Sequence, residues 1–541
     1  MCSGLHYFHP AWIERSDEVL EVDVCVYGGN AAGVVAGIKA LRLGMSAVVL
    51  QPGMHLGGMT TGGLGWTDYG RQHVIGGMSR RFYEDLGKSV GMDGANWHFW
   101  PSDAERLIKS MVKDTGLDVR RAAYLDTIEM NGQRLVSLTV LGGLHVKAKQ
   151  FIDCSYEGDL LAKAGVSYTI GRESNAVYGE TLNGVQCRDK HQFTGTRVDP
   201  YMVEGDAGSG LLPGVESRDL RQDQGQGDHK VQAYNFRVCM TNDPALMVPW
   251  EKPAGYEALR YEPLARWYRG GVQKEDDRNR PFSYASRLVD GEPFPQKIDL
   301  LDRRTPTGHW KSDTNNHGPV SSDFIGANHE WPTADYAVRE AIFQAHVTYQ
   351  KGLYWFLAND ERVPDPLRSV YAGLGLPSDE FTDTGHWPHQ LYPREARRMV
   401  ADHVITEHDC THSVVADDPV GMGSYTMDSH NCSRFVAEVE GQPSVLNEGD
   451  VQVPPTDPYG VSLKAIVPKA GECENLVVPV CFSASHIAYG SARMEPVFMV
   501  LGESAACVSQ LALRDGVAVQ GVAYDKLRVM LDDAEQVLSE S

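Results

Sequence analysis

Residues 22–51 constrain the fold most. VDVCVY (22–27) is a short apolar run suited to a buried strand, and the tight turn GGNAAG (28–33) follows it. In the next segment Val34, Val35, Ile38 and Leu41 recur at helical spacing and Gly44 supplies the stop. SAVVLQ (46–51) then reads as a second buried strand. Strand, glycine turn, helix and strand in this order predict a βαβ unit, with a parallel pair and a right-handed crossover.

The turn fits G-x-G-x-x-G at its first and third places, Gly28 and Gly33, with Gly29 between and Asn30 in the second. The first glycine permits the tight turn and the third lets helix and strand pack closely. Asn30 tolerates left-handed backbone, and its amide is able to donate to a phosphate oxygen. The helix opening at Ala31 and Ala32 points its first amides at a pyrophosphate. Where a ribose-binding carboxylate is expected, at the end of the second strand, Gln51 stands before Pro52. The glycine-rich run from His55 to Gly63, with Gly57, Gly58, Met59 and Thr60, favours FAD over NAD, because an extended flavin dinucleotide needs a second stretch of bare backbone. A doubly wound protein with no ligand, and a plain surface loop at 55–63, are the competing readings.

The rest of the chain adds a β-meander over about 117–153, with Asn131-Gly132 and Gly142-Gly143 as hairpin turns. A stretch from about 172 to 330 is rich in Asp, Gly, Pro, Tyr and Trp, with VQAYNFRVCMT (231–241) as its clearest strand. A long helix rich in small residues covers 495–513. Lys and Arg number 50 against 72 Asp and Glu, a net charge of −22 that argues against nucleic-acid or membrane-surface partners. No run of about 18 apolar residues reads as a transmembrane helix, and the acidic first twenty residues lack the apolar stretch of a secretory signal. The ten cysteines include no CxxC pair. Reduced thiols in a cytoplasmic protein are therefore expected.

Further segments carry a resemblance: GGMTTGGLGWTD (57–68), DCSYEGDLLAKAGV (153–166), GRESNAVYGE (171–180), DEFTD (379–383), WPHQLYPREARR (387–398), MDSHN (427–431), NEGD (447–450) and SASHIAYGSARMEPVFMVLGESAA (483–506). With the fingerprint, the chain resembles the glutathione-reductase-type FAD-dependent oxidoreductases, and among them a group sometimes labelled xanthan-lyase-like. The resemblance implies an α/β fold: a Rossmann-type FAD/NAD(P)-binding domain with a β-meander, plus an inserted α+β substrate domain. The FAD-binding domain would span 20–175 and return at 471–541, with the substrate or cap domain at 176–470. It also implies cofactor contacts at Ser155, Met494 and Glu495, and Arg493 beside them is a candidate to contact flavin or substrate, with a salt bridge at the helix start as the alternative. The late helix would aim its dipole at the flavin.

A flavin accepts the hydride, so the protein must supply a base and orienting donors. His389 and Tyr392 in WPHQLYPREARR, His430 in MDSHN and His486 in SASHIAYGSARM are the catalytic candidates, with His486 favoured. Arg394 and Arg397 are candidates to clamp an anionic group, and Trp66 and Asp68 to line the mouth of the site. No His, Asp or Glu group has metal-ligand spacing. The leading expectation is a flavoprotein oxidase or dehydrogenase acting on a C–H that bears a hydroxyl or amine in a small polar substrate, such as a sugar or phenolic compound. An NAD(P)H-dependent monooxygenase, a redox-neutral lyase and a non-enzymatic scaffold are the alternatives, and a homo-oligomer is left open.

Overall fold

The computed structural model describes residues 4–270, 287–289, 292–295 and 297–540. Strand β1 (Val19–Tyr27), helix α1 (Ala31–Arg42) and strand β2 (Ala47–Leu50) form the predicted βαβ unit. β3 (Asp118–Arg120) lies outside β2, and β4 (Leu125–Asn131), β5 (Arg134–Val140) and β6 (His145–Asp153) form the meander. β2 and β6 flank β1, both parallel to it, with Tyr27 opposite Leu50 on one side and Asp153 on the other. Three strand ends therefore stop at one level, the edge where α/β sheets bind ligands.

β6 shares its outer edge between two partners. Antiparallel β5 pairs with 145–147, while β7 (Leu476–Val477), returning from the far end of the chain, pairs in parallel with Phe151 and Ile152. Asn475 seals the fork between them. Its side chain accepts from the Leu135 amide at 2.9 Å and donates to the carbonyls of Leu135 and Lys149 at 2.8 and 3.0 Å. These bonds satisfy backbone groups that a splitting sheet would otherwise leave buried and unpaired.

Alternation along β1 sends Val24 and Val26 into one core and Cys25 and Tyr27 into the core on the other face. The first core also holds α1 and helix α3 (Glu495–Asp515); helix α2 (Tyr336–Asn359) belongs to a separate cluster. A side chain at Gly502 would meet the Ala32 carbonyl at 2.5 Å, so bare backbone lets α1 and α3 touch. α3 is long and apolar enough to span a membrane, but 89% of its apolar window is buried inside the fold. Residues of 405–467, expected in the inserted part, put Ile405, Val420, Val461 and Val467 into this first core. A second core gathers side chains from 193–391 around α2.

One expected strand is corrected. Of 231–241 only Met240–Thr241 pairs in a sheet, although every residue of the run is buried. Its backbone finds partners elsewhere. The Gln350 side chain bonds both the amide and the carbonyl of Phe236 at 2.8 and 2.7 Å, Asn328 donates to the Gln232 carbonyl at 2.9 Å, and Arg394 donates to that of Ala233. Side chains here replace a ladder, which leaves the segment free to run between the two cores.

Candidate functional site

The glycine turn sits at the shared strand ends. A side chain at Gly28 would strike the Ser155 amide at 2.5 Å, and one at Gly33 would lie 1.8 Å from the Gly28 carbonyl. Gly28 adopts φ +100°, which only glycine holds without strain. Asn30 caps α1, with Oδ1 accepting from the Gly33 amide at 2.9 Å and Nδ2 donating to the Cys154 carbonyl at 2.6 Å. That side chain is therefore committed to the protein and is not the phosphate donor expected. Helix geometry leaves the amides of Ala31 and Ala32 for a ligand. Gln51 is likewise turned inward, its Oε1 accepting from the Gly29 amide at 2.7 Å.

The second glycine run joins this turn. Gly57 takes φ +94° and donates its amide to the Gly29 carbonyl at 2.8 Å. At Gly58 a side chain would meet the Tyr156 hydroxyl at 2.3 Å. That hydroxyl accepts from the Met59 amide at 3.0 Å and donates to Glu495 at 2.6 Å, and Thr60 donates to the other Glu495 oxygen at 3.0 Å. A groove open to solvent runs past Gly28, Asn30, Gln51, Pro52, Gly58 and Ser155, with His389 at its wall. Bare backbone on both sides and an open helix N-terminus fit a dinucleotide diphosphate. The residues present therefore suit FAD, although the carboxylate usual at Gln51 is missing.

Glu495 sits in the first turn of α3 behind its Met494 cap. Burial pushes its carboxyl up to about 7, against the lowering effect of Tyr156 and Thr60. The folded protein thus holds this proton more tightly than the unfolded chain. Stability falls as pH rises from the ordinary carboxylate range through about 7. In the apoprotein, Glu495→Gln removes this titration and should raise the thermal midpoint over wild type more at about pH 8 than at about pH 5. An equal difference at both pH values would contradict the assignment.

A separate polar cavity has two lobes, of about 400 and 430 Å³, that share Lys297, Asn315 and Tyr425. Trp66 and Asp68 line the first lobe; Asp428 and His430 line the second. Trp66 is stacked on His98 with ring centres 3.6 Å apart. Asp68 accepts from the Tyr425 hydroxyl at 3.0 Å and faces Arg237 at 3.5 Å; Arg237 is clamped by Asp313 at 2.9 and 2.7 Å.

His430 joins two carboxylates. Its Nδ1 lies 2.7 Å from Asp323 and its Nε2 3.2 Å from Asp428. Burial would raise the Asp428 carboxyl, but His430 and Arg493 outweigh it and hold the group well below the usual carboxylate range. Arg493 donates to the Tyr392 hydroxyl at 3.0 Å, to Gln232 at 3.1 Å and to Asp428 at 3.3 Å. Tyr392 thus stands behind the cavity wall, its ring between the guanidiniums of Arg394 and Arg493 at 5.1 and 5.6 Å.

Three expected contacts are corrected by position. His486 is 1% exposed and borders neither lobe; its Nδ1 lies 2.7 Å from Glu395 and its Nε2 2.9 Å from the Ser429 hydroxyl. Burial and the nearby Arg398 push it down to about 3, so it is a neutral internal crosslink. Arg397 bonds the Glu157 carbonyl and Asp159 at 2.9 and 2.8 Å, on the groove side of the molecule. Arg394 is fully buried against Asp323 at 2.9 Å and positions that carboxylate without reaching the cavity. His389 stacks on His55 with centres 4.0 Å apart, and burial with the charge of His55 holds it well below its ordinary range.

Sequence reasoning missed two further imidazoles on the cavity wall, His317 and His191. His191 lies 2.8 Å from Asp450 through Nδ1 and adopts φ +56°. Positive φ at a non-glycine residue costs of order 1–3 kcal/mol and clusters at functional sites. No local motif surrounds it, so only its long-range contact reveals it. Asp428 was readable as the acid of MDSHN, two residues before His430.

A parallel sheet with a glycine turn and a capped helix opening on a groove at the strand ends define a dinucleotide-binding protein of Rossmann type. The chain belongs to the FAD-dependent oxidoreductase family, whose model matches residues 23–531, and FAD is its cofactor. No curated protein matches it. Solved structures overlap it only in part. OxyS anhydrotetracycline hydroxylase from Streptomyces rimosus shares 14% identity over 32% of this chain and 36% of that one, with a TM-score of 0.22. A flavoprotein/dehydrogenase from Cytophaga hutchinsonii shares 16% over 27% and 42%, with a TM-score of 0.22. The 3-ketosteroid-delta4-(5alpha)-dehydrogenase from Rhodococcus jostii shares 16% over 27% and 49%, with a TM-score of 0.20. The overlaps span less than half of each of those chains and carry no argument about reaction or substrate.

Proposed function

We propose that this enzyme is a dehydrogenase or oxidase that takes a hydride from a C–H bearing a hydroxyl or amine of a small polar substrate, with the Asp428–His430 pair as proton acceptor. FAD, when bound, accepts the hydride. The observation that carries the reading is the line Asp323–His430–Asp428 on the cavity wall, at 2.7 and 3.2 Å. Asp323 fixes the imidazole through Nδ1, so Nε2 takes the hydroxyl or amine proton as the C–H bond gives up its electron pair, and the ionised Asp428 beside Nε2 stabilises the imidazolium that forms. Asn315, Asn316 and Gln452 offer amides and Trp66 a flat aromatic wall, which together suit a polyhydroxylated ring.

The β-meander and the returning β7 support placing the chain in the glutathione-reductase-type branch of its family. The free cysteines among the described residues are in keeping with a cytoplasmic location. The net charge of −22 is in keeping with a small-molecule partner rather than nucleic acid. The test is an anaerobic screen of sugars, polyols, phenolic alcohols and amines. The expected result is bleaching of the flavin by one class without NAD(P)H. Bleaching by NAD(P)H alone, with consumption stimulated by substrate, would replace this reading with a monooxygenase. Turnover without any flavin bleaching would replace it with a redox-neutral reaction.

A further inference from the structure

Residues 5–8 lie ahead of β1 and outside every sheet, yet His6 and Tyr7 line the same groove as Gly28, Gln51 and Ser155. One carboxylate pins them. Glu340, in the second turn of α2, lies 2.7 Å from His6 Nδ1 and accepts the amides of Tyr7 and Phe8 at 2.7 and 2.9 Å. Gln344, one turn further on, donates to the Leu5 carbonyl at 2.7 Å and to Glu340 at 2.8 Å.

The segment is also tied to the sheet side. The Tyr124 hydroxyl, between β3 and β4, donates to the Tyr7 carbonyl at 2.5 Å. Phe8 meets Tyr124 edge-on at 4.9 Å and stacks on Tyr336 at 5.6 Å, and Tyr7 meets Trp331 edge-on at 4.7 Å. Ordering an irregular segment costs about 1–2 kcal/mol per residue, so these anchors hold the chain in place against a real tendency to leave. The segment they hold lines the same groove as Gln51 and Pro52, the strand end where a dinucleotide places its ribose.

We infer that residues 5–8 form the outer wall of the FAD site and set how slowly FAD leaves it. This rests on the family's cofactor occupying the groove. A segment that only staples two cores would affect stability and not cofactor release.

The test compares Glu340→Ala and His6→Ala with wild type in the FAD-loaded protein. Release is followed by the rise in free FAD fluorescence after dilution, and the thermal midpoints of holo- and apoprotein are recorded. Glu340→Ala removes the shared anchor and should speed release about tenfold or more. The gap between holo and apo midpoints should shrink with it. His6→Ala should act in the same direction with a smaller effect. Release within about twofold of wild type in both variants overturns the inference. So does faster release accompanied by an equal fall in the apoprotein's own midpoint. A wild-type protein that takes up no FAD would instead sink the cofactor assignment beneath it.

Discussion

Gly33→Ala should yield a protein that folds but no longer retains FAD. The new methyl would lie 1.8 Å from the Gly28 carbonyl, closer than any real contact, and 3.3 Å from the Cys154 side chain. Neither neighbour is a flexible tip, because one is turn backbone and the other is the buried residue that follows β6. The start of α1 must therefore move away from β1. Overpacking of this kind costs about 1–3 kcal/mol. The functional cost is larger, because the Ala31 and Ala32 amides lose their aim at the diphosphate, and each hydrogen bond to a charged group that is lost costs about 1.5–3 kcal/mol. Gly373→Ala is the control. Gly373 lies outside the groove without a positive φ, and its new methyl would meet the Val370 and Ser369 carbonyls at ordinary distances of 3.4 and 3.5 Å. FAD titration of the two apoproteins decides the matter. Wild-type affinity in Gly33→Ala would show that the turn does not hold the cofactor.

The second large effect belongs to Asp428 and His430. Asp428→Asn and His430→Asn should each slow flavin reduction by the identified substrate about 100- to 10,000-fold while leaving FAD content intact. Asp428→Asn keeps the shape but removes the charge that stabilises the protonated imidazole. His430→Asn removes the ring that joins Asp323 to Asp428. His486→Gln should behave differently. It should lower thermal stability, because the Glu395 and Ser429 contacts are buried, and leave the pH profile of flavin reduction unshifted. Stopped-flow reduction across pH separates the two. A shifted profile in His486→Gln with an unchanged one in Asp428→Asn would reverse the assignment.

The legible part of the molecule was its local part. Apolar β1, the glycine turn and the periodic run of Val34, Val35 and Ile38 needed no distant partner to be read, and Asn131-Gly132 announced the meander. Sequence pattern failed where a segment takes its partners from far along the chain. The 231–239 run looks like a strand because it is apolar, but Gln350 and Arg394 satisfy its backbone. His486 drew attention because it precedes α3, yet Glu395 turns it inward. His430 became distinguishable from His389 and His486 only through Asp323, 107 residues away, and His191 only through Asp450. The committed side chains of Asn30 and Gln51 are a subtler case. Their positions in the motif were readable, but whether they face ligand or protein depends on Cys154 and Gly29.

A crystal structure of the FAD-loaded protein soaked with its reducing substrate tests the central claim most directly. The account predicts the diphosphate on the Ala31 and Ala32 amides and the flavin ring opening onto the cavity. The substrate's reacting oxygen or nitrogen should lie within hydrogen-bond reach of Asp428 or His430. A ring walled off from that cavity, or a substrate bound elsewhere, would contradict it.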